Sequence, residues 1–148
     1  MTTGNQAIIN NSVSGYQIEL TAKLVRQTFK RALREAGAGV TIHQWVLLNQ
    51  LSMQDGISQL DLARAVHKDA PTVTRIIDLL EDHGLIRRGA DADDRRKFLI
   101  HLTGAGKKVV AQVAPLVAQF RKQMFAGISK SDLRQFQKTL DIIFKNLQ

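Results

Sequence analysis

Apolar residues recur every three or four positions in several stretches of this chain, and each stretch predicts an amphipathic helix. The first predicted helix follows Ser14-Gly15-Tyr16-Gln17, which has the form of a capping box, and it ends before Gly37. Its apolar face consists of Ile18, Ala22, Val25, Phe29, Ala32, Leu33 and Ala36. A second capping box, Thr41-Ile42-His43-Gln44, predicts a helix that ends at Asp55-Gly56.

Two short helices joined by a turn are predicted next. Ser58 opens the first of them, and His67-Lys68 form the turn. Asp69 is the predicted N-cap of the second helix, and Pro71 lies in its first turn, where the missing N–H costs nothing. The predicted buried face of this second helix is formed by Val73, Ile76, Ile77 and Leu80.

A pair of strands follows the second short helix. Apolar and polar residues indicate strands at Ile86–Arg88 and at Phe98–Leu102, where the alternation is clear. The intervening loop is too long for a two-residue hairpin turn, so the pair predicts a protruding β-hairpin, which we call the wing. Its loop is Asp91-Ala92-Asp93-Asp94-Arg95-Arg96-Lys97.

Long helices flank this central region. Thr103 is the predicted cap of a helix that contains Pro115, which should bend it or interrupt its hydrogen-bond ladder. The first helix and the last two each have an apolar face that the small central domain cannot cover. Pairing between two copies of the chain covers these faces most simply, and folding back onto the same chain is the alternative. We therefore predict a dimerisation region at residues 1–36 and 104–148 around a central domain at residues 40–103.

The charge distribution gives only limited support for a nucleic-acid partner. A net charge of +8 favours a polyanion. Residues 57–103, however, contain eight Lys or Arg and eight Asp or Glu residues, so the excess lies in the flanks. Local placement of the charges therefore carries more information than their sum.

Several classes of protein are disfavoured by the composition. The absence of cysteine excludes disulfides, thiolate metal sites and thiol redox sensors. The four histidines lack the spacing of a zinc site, and we expect no metal and no cofactor. The chain has no Gly-rich phosphate loop and no catalytic Ser/His/Asp pattern, which argues against an enzyme. The polar N-terminus lacks the pattern of a secretory signal, so we expect a cytoplasmic protein.

The second short helix is the main candidate for reading DNA. Its N-terminal half exposes small, hydroxylated and basic residues opposite the apolar face, and such a surface can enter a major groove. Asp78 and Asp82 lie on the same exposed side and would repel phosphates, so contact is expected in the first two turns. An ordinary solvated face is the alternative. The candidates are Pro71, Thr72, Thr74 and Arg75 near the bases, and Ser58, Gln59, Lys68 and Arg95 for phosphates.

The wing loop is the second candidate element. A carboxylate beside an arginine can hold the guanidinium in one orientation, which lessens the ordering cost on entering a narrow minor groove. We favour Arg96 for the groove and Asp94 as the residue that orients it. Arg95 then lies nearer the phosphates, although the two arginines could exchange roles.

These segments resemble the MarR family of transcriptional regulators. The resemblance spans nearly the whole chain, and its most specific part is Pro71 to Gly106. The matching segments are Leu60–Val66 and Pro71–Arg88 for the helix-turn-helix, Asp91–Arg96 for the wing, and Leu102-Thr103-Gly104-Ala105-Gly106 for the entry to the long helix. Ala92 departs from the family, which often has proline there, and a looser wing is implied.

The resemblance implies a mainly α fold with a small β-hairpin wing, in which dimerisation helices flank a winged helix-turn-helix domain. It also implies a homodimeric regulator, usually a repressor, that binds a pseudo-palindromic operator. Small phenolic or aromatic carboxylate compounds often weaken DNA binding in this family. His43 and Trp45 lie on the helix that would line the ligand pocket, although Trp45 suits the core and His43 an exposed first turn. A winged-helix protein-interaction module without DNA binding is the rival hypothesis, and the neutral central charge favours it.

Overall fold

The computed structural model describes the backbone from residue 3 to residue 148 and the side chains from residue 14 onward. Within that part the chain is mainly helical, with one small antiparallel sheet, as the sequence predicted. The helices are α1 (Thr3–Glu35), α2 (Ile42–Met53), α3 (Gln59–Ala65), α4 (Ala70–Asp82), α5 (Gly104–Met124) and α6 (Lys130–Asn146). The strands are β1 (Ile57–Ser58), β2 (Ile86–Ala90) and β3 (Phe98–Leu102).

The chain divides between Ala114 and Pro115 into two compact units. The first unit contains α1 to α4, the sheet and the beginning of α5. The second contains the rest of α5 and α6. Pro115 lies inside α5, as predicted, and it cannot donate a backbone hydrogen bond to the preceding turn.

Three strands form the sheet in the order β1-β3-β2. The predicted wing hairpin is confirmed: β2 pairs antiparallel with β3, from Ile86 opposite Leu102 to Ala90 opposite Phe98. Strand β2 is therefore two residues longer than predicted. Strand β1, which pairs Ile57 with Ile100, was not predicted, because a two-residue strand is too short to show an alternating pattern.

The core of the first unit lies between helices α2, α3 and α4 and the sheet. The predicted buried face of α4 is confirmed, since all four of its apolar residues are buried. They belong to one buried apolar cluster that also includes Leu47, Leu48, Leu51, Ile57, Leu62, Ile86, Ile100 and Leu102. Burial of this apolar surface is the dominant favourable contribution to folding.

The predicted caps at Thr41, Ser58 and Asp69 are confirmed, and Ser129 is a further cap. Thr41 and Gln44 form the reciprocal capping box, with Thr41 N donating to Gln44 Oε1 at 2.9 Å and Gln44 N donating to Thr41 Oγ1 at 3.2 Å. Ser58, Asp69 and Ser129 cap α3, α4 and α6 through their side-chain oxygens. These caps satisfy N–H groups that the first turn of a helix leaves without backbone acceptors.

The predicted start of the first helix at Ser14 is wrong. Helix α1 begins at Thr3, so Ser14 lies within it. In a continuous helix the N–H groups after Ser14 find carbonyl acceptors four residues earlier, and no side-chain cap is needed. Capping-box residues in the sequence are therefore compatible with a helix interior when the preceding residues are also helical.

Gly106 allows the start of α5 to approach the turn between α4 and β2. A Cβ atom at this position would lie 2.1 Å from the carbonyl oxygen of Leu85, which is too close for any side chain. Thr103 strengthens the same junction, since its hydroxyl donates to Gly84 O at 2.7 Å and its N–H donates to Leu85 O at 3.1 Å. The spacing of Thr103 and Gly106 thus anchors the long helix to the central domain.

The second unit leaves much apolar surface exposed. No residue of α6 is buried. Its exposed large apolar side chains are Phe136, Leu140, Ile142 and Phe144, and Leu147 follows at the end of the helix. Among the described residues, no helix is both long and apolar enough to cross a membrane.

Candidate nucleic-acid interface

The beginning of α4 is held by Asp69. Thr72 donates twice to this carboxylate, from its N–H to Oδ1 and from its hydroxyl to Oδ2, both at 2.8 Å. These bonds from the backbone and the side chain of Thr72 lower the pKa of Asp69. The hydroxyl proton of Thr72 is therefore committed to the cap, and this side chain can offer a DNA base its remaining lone pair and its methyl group.

Thr74 and Gln59 contact each other across the helix-turn-helix. Gln59 Nε2 donates to Thr74 Oγ1 at 2.5 Å, and Thr74 Oγ1 donates to Ala70 O at 2.9 Å. One base-reading candidate and one phosphate candidate are thus brought together. Because the Thr74 proton is already used within the helix, its hydroxyl is better suited to holding Gln59 than to donating to a base.

Pro71 and Arg75 are exposed on α4, in its first and second turns. The described part of the chain provides no hydrogen-bond or ion-pair partner for the Arg75 side chain. A guanidinium without an internal partner keeps all its donors for an outside acceptor, such as a guanine edge or a phosphate.

The turn before α4 carries the remaining candidate, Lys68. His67 adopts a positive φ of 51°, and the following N–H of Lys68 donates to Ala63 O at 3.1 Å. This left-handed residue ends α3 and sets the direction in which α4 begins. Lys68 is half-buried, whereas Ser58 uses its hydroxyl to bind Asp61 at 2.7 Å in the α3 cap.

The wing loop is closed by short-range hydrogen bonds. Asp91 N donates to Lys97 O at 3.1 Å, and Lys97 N donates to Asp94 O at 2.9 Å. Asp94 Oδ1 accepts the Arg96 N–H at 3.0 Å and lies 3.5 Å from Arg96 Nε. The expected contact between Asp94 and Arg96 is present, and the Arg96 side chain is 94% exposed. Arg95 is exposed too, and the described residues give its side chain no partner.

Arg88 joins the wing to α4, and sequence reasoning missed it. Its Nη2 donates to Asp78 at 2.5 Å, its Nη1 donates to Glu81, and its backbone N–H donates to Glu81 Oε1 at 3.1 Å. The bond to Asp78 is the main cause that raises the pKa of Arg88. The spacing of Asp78 and Glu81 shows only that they share a helix face; that a strand residue bridges them depends on the tertiary fold.

Asp55 provides a second connection to the sheet. Its Oδ1 accepts the Leu102 N–H at 2.8 Å, and its Oδ2 lies 3.3 Å from His101 Nδ1. Partial burial raises the pKa of Asp55, but the bonds from Leu102 and His101 and the charge of Lys107 outweigh it, so the net shift is downward. The carboxylate thus ties the end of α2 to β3.

A cleft of about 600 Å³ lies between the end of α1 and the beginning of α2. Its lining includes the polar residues Lys30, Arg34 and His43 and apolar residues such as Leu33 and Val40. His43 therefore lies where a ligand can reach it. Trp45 is buried and does not line this cleft, and the two cationic residues from α1 were not anticipated. The residues described from Ser14 onward include no cluster of three metal-binding side chains.

Comparisons with known proteins agree with this geometry. The model of the MarR family matches residues 40–98, which include the helix-turn-helix and most of the wing. Solved structures resemble the chain over most of its length. The S. aureus MepR–DNA complex is 26% identical, with a TM-score of 0.81, and the match covers 89% of this chain and 96% of MepR.

Two further structures extend the comparison. The transcriptional regulator PA3341 is 32% identical, with a TM-score of 0.77, over 90% of this chain and 96% of its own. CouR from Rhodococcus jostii RHA1, solved with p-coumaroyl-CoA, is 25% identical, with a TM-score of 0.78, over 87% of this chain and 90% of its own. The resemblance inferred from the sequence is confirmed: this chain belongs to the MarR family of winged-helix DNA-binding transcriptional regulators, proteins that are generally not enzymes.

Proposed function

We propose that this protein is a homodimeric repressor that binds a pseudo-palindromic operator in double-stranded DNA and is released by a small anionic aromatic ligand. The observation that carries the proposal is the pairing of two exposed basic elements in one compact unit. The first two turns of α4 present Arg75, and the hairpin tip presents Arg95 and Arg96. A recognition helix in the major groove and a wing in the flanking minor groove use such elements.

The site residues then have distinct roles. Arg75 and Thr72 contact base edges, with Pro71 against the groove wall, and Thr74 holds Gln59 in position. Gln59, Ser58, Lys68 and Arg95 contact phosphates, which sets the register without reading sequence. Arg96 enters the minor groove, and Asp94 limits its orientations. The structure of MepR in complex with DNA supports this use of the fold.

The uncovered apolar surface supports the proposed dimerisation. Helix α6 buries none of its residues. The apolar face of α1 is covered within the chain at Phe29 and Leu33 but remains exposed at Ile18. Contiguous exposed apolar surface is typical of an interface between subunits. A symmetric pair of chains covers both faces and presents two recognition helices to the two half-sites of a palindrome. Residues 1–36 and 104–148 are the proposed dimerisation region, around the DNA-binding domain at 40–103.

The effector site is the cleft between α1 and α2. Its volume lies within the roughly 300–1,000 Å³ usual for small-molecule sites. Lys30 and Arg34 supply positive charge for a carboxylate, His43 supplies a polar ring, and the apolar lining accepts an aromatic body. CouR, which was solved with p-coumaroyl-CoA, supports an effector that contains a phenolic ring. Trp45 is buried and lies outside the cleft lining, so we assign it to the core and not to ligand contact.

Selection of bound fragments from a random pool of duplex DNA tests the proposed function. We expect one enriched sequence with two inverted half-sites, and weaker binding as salt rises because phosphate contacts release counterions. Repeating the measurement with phenolic acids should reduce occupancy of the selected site, and Arg34→Ala should remove that response. The absence of any enriched sequence would overturn the proposal and favour a protein-interaction module.

A further inference from the structure

Asp78 places a negative charge on the side of α4 that faces outward. It lies three residues after Arg75, and its side chain is 55% exposed. A carboxylate at this position would repel the phosphates beside the groove, because like charges across an interface oppose association. The recognition helix therefore contains an acidic group that acts against its proposed use.

Arg88 neutralises that carboxylate from the neighbouring strand. Its guanidinium lies only 2.5 Å from Asp78 and also contacts Glu81, so one planar group bridges two acids on α4. The Arg88 side chain is 26% exposed, which leaves it less accessible than Asp78 itself. A guanidinium whose N–H groups already donate to two carboxylates of the same chain has few donors left for a phosphate.

Glu81 and Asp78 depend on Arg88 to different degrees. Glu81 also accepts the backbone N–H of Arg88, and this bond survives any non-proline substitution at position 88. Asp78 receives only the guanidinium. Loss of the Arg88 side chain therefore unmasks mainly Asp78.

We propose that Arg88 is a positioning residue for DNA binding: it masks Asp78 and fixes α4 against the base of the wing without touching DNA. This inference rests on the proposed function. The role of the Asp78–Arg88 pair is electrostatic. DNA binding requires Arg88 only because Asp78 is present.

A double-mutant cycle tests this claim, with operator affinity measured by fluorescence polarisation at fixed salt on the selected fragment. Arg88→Met should weaken binding about ten-fold, which is less than the loss for a buried charge pair because solvent partly screens the exposed Asp78. Asp78→Asn/Arg88→Met should restore most of the wild-type affinity. Arg87→Met is the matched control, because it removes the same charge from the adjacent, exposed position, and Asp78→Asn should not improve it.

The outcomes separate this inference from the proposed function. A wild-type protein that selects no DNA sequence overturns the proposed function itself. If the wild type binds but Arg88→Met binds equally well, or stays weak when Asp78→Asn is added, the masking role is wrong. If Arg88→Met does not fold, the uncharged set Asp78→Asn/Glu81→Gln/Arg88→Met replaces it. That set should fold and bind within a few-fold of wild type, and a folded triple variant with a large loss would overturn the inference.

Discussion

The polar residues of the proposed interface differ in how many of their hydrogen-bonding groups the protein already uses. The hydroxyl of Thr72 donates a hydrogen bond to the Asp69 carboxylate, and the hydroxyl of Thr74 donates one to Ala70 O. Both threonines can therefore act toward DNA only as acceptors or through their methyl groups. Arg75 has no partner among the described residues and retains every donor. Specific reading of bases at the start of α4 should consequently depend more on Arg75 than on either hydroxyl.

Arg96 provides the clearest single-residue prediction. Arg96→Ala should weaken operator binding by roughly 1–3 kcal/mol, because a positioned guanidinium in a narrow minor groove makes a specific contact. Asp94→Asn should weaken binding less, since the arginine remains but loses the carboxylate that limits its orientations. Fluorescence polarisation at matched salt measures both changes. Unchanged affinity for Arg96→Ala, with a large loss for Arg95→Ala, would show that Arg95 and not Arg96 enters the minor groove.

At the scale of the elements, sequence patterns predicted what is encoded locally. The caps at Thr41, Ser58 and Asp69 depend on residues three positions apart, and each was correctly predicted. Strand β1 was missed, because it exists only through pairing with β3. The bridge from Arg88 to α4 and the cationic lining of the α1–α2 cleft were missed for the same reason: each joins segments whose proximity depends on tertiary packing.

Phe98 shows a limit of the alternation rule. It has the same phase along β3 as Ile100 and Leu102, which are buried, yet Phe98 is 57% exposed. The residue pairs with Ala90 at the end of the hairpin. Alternation identifies which side of a strand a residue occupies, but the extent of the opposing layer decides whether that side is covered.

The lowered pKa of Asp55 predicts how acidic pH affects the connection between α2 and the sheet. Its pKa is 3.8 in its ordinary state and lower in the folded protein. A carboxyl whose pKa is depressed by folding stabilises the native state above the unfolded value, and this contribution is lost as pH falls through the folded value. Asp55→Asn can retain the Leu102 bond but lacks the charge. It should therefore destabilise the protein at neutral pH.

Urea denaturation of the wild type and Asp55→Asn, repeated across pH, measures this effect. The difference in free energy of unfolding should be largest above pH 3.8 and should shrink at more acidic pH. A difference that is constant through this range would mean that the bond geometry, and not the ionisation of Asp55, accounts for the loss of stability.

At the scale of the whole molecule, the exposed face of α6 should determine the oligomeric state. Phe136→Lys/Leu140→Lys places two charges on surface that we propose a second chain covers, and burying those charges without partners is costly. Sedimentation analysis should show a shift from dimer to monomer, or loss of the folded protein. Gln135→Lys/Asn146→Lys adds the same charge at exposed polar positions on the opposite side of α6 and should remain dimeric.

The spacing of the two half-sites follows from the same dimer. If two copies of α4 enter successive major grooves on one side of the duplex, their centres must be about one helical turn, or 10–10.5 base pairs, apart. Five extra base pairs between the half-sites turn the second site to the opposite side, where one dimer cannot contact both. Binding should then fall toward the affinity of a single half-site. If affinity did not change with spacing, each chain would bind on its own, and symmetry would contribute nothing to recognition.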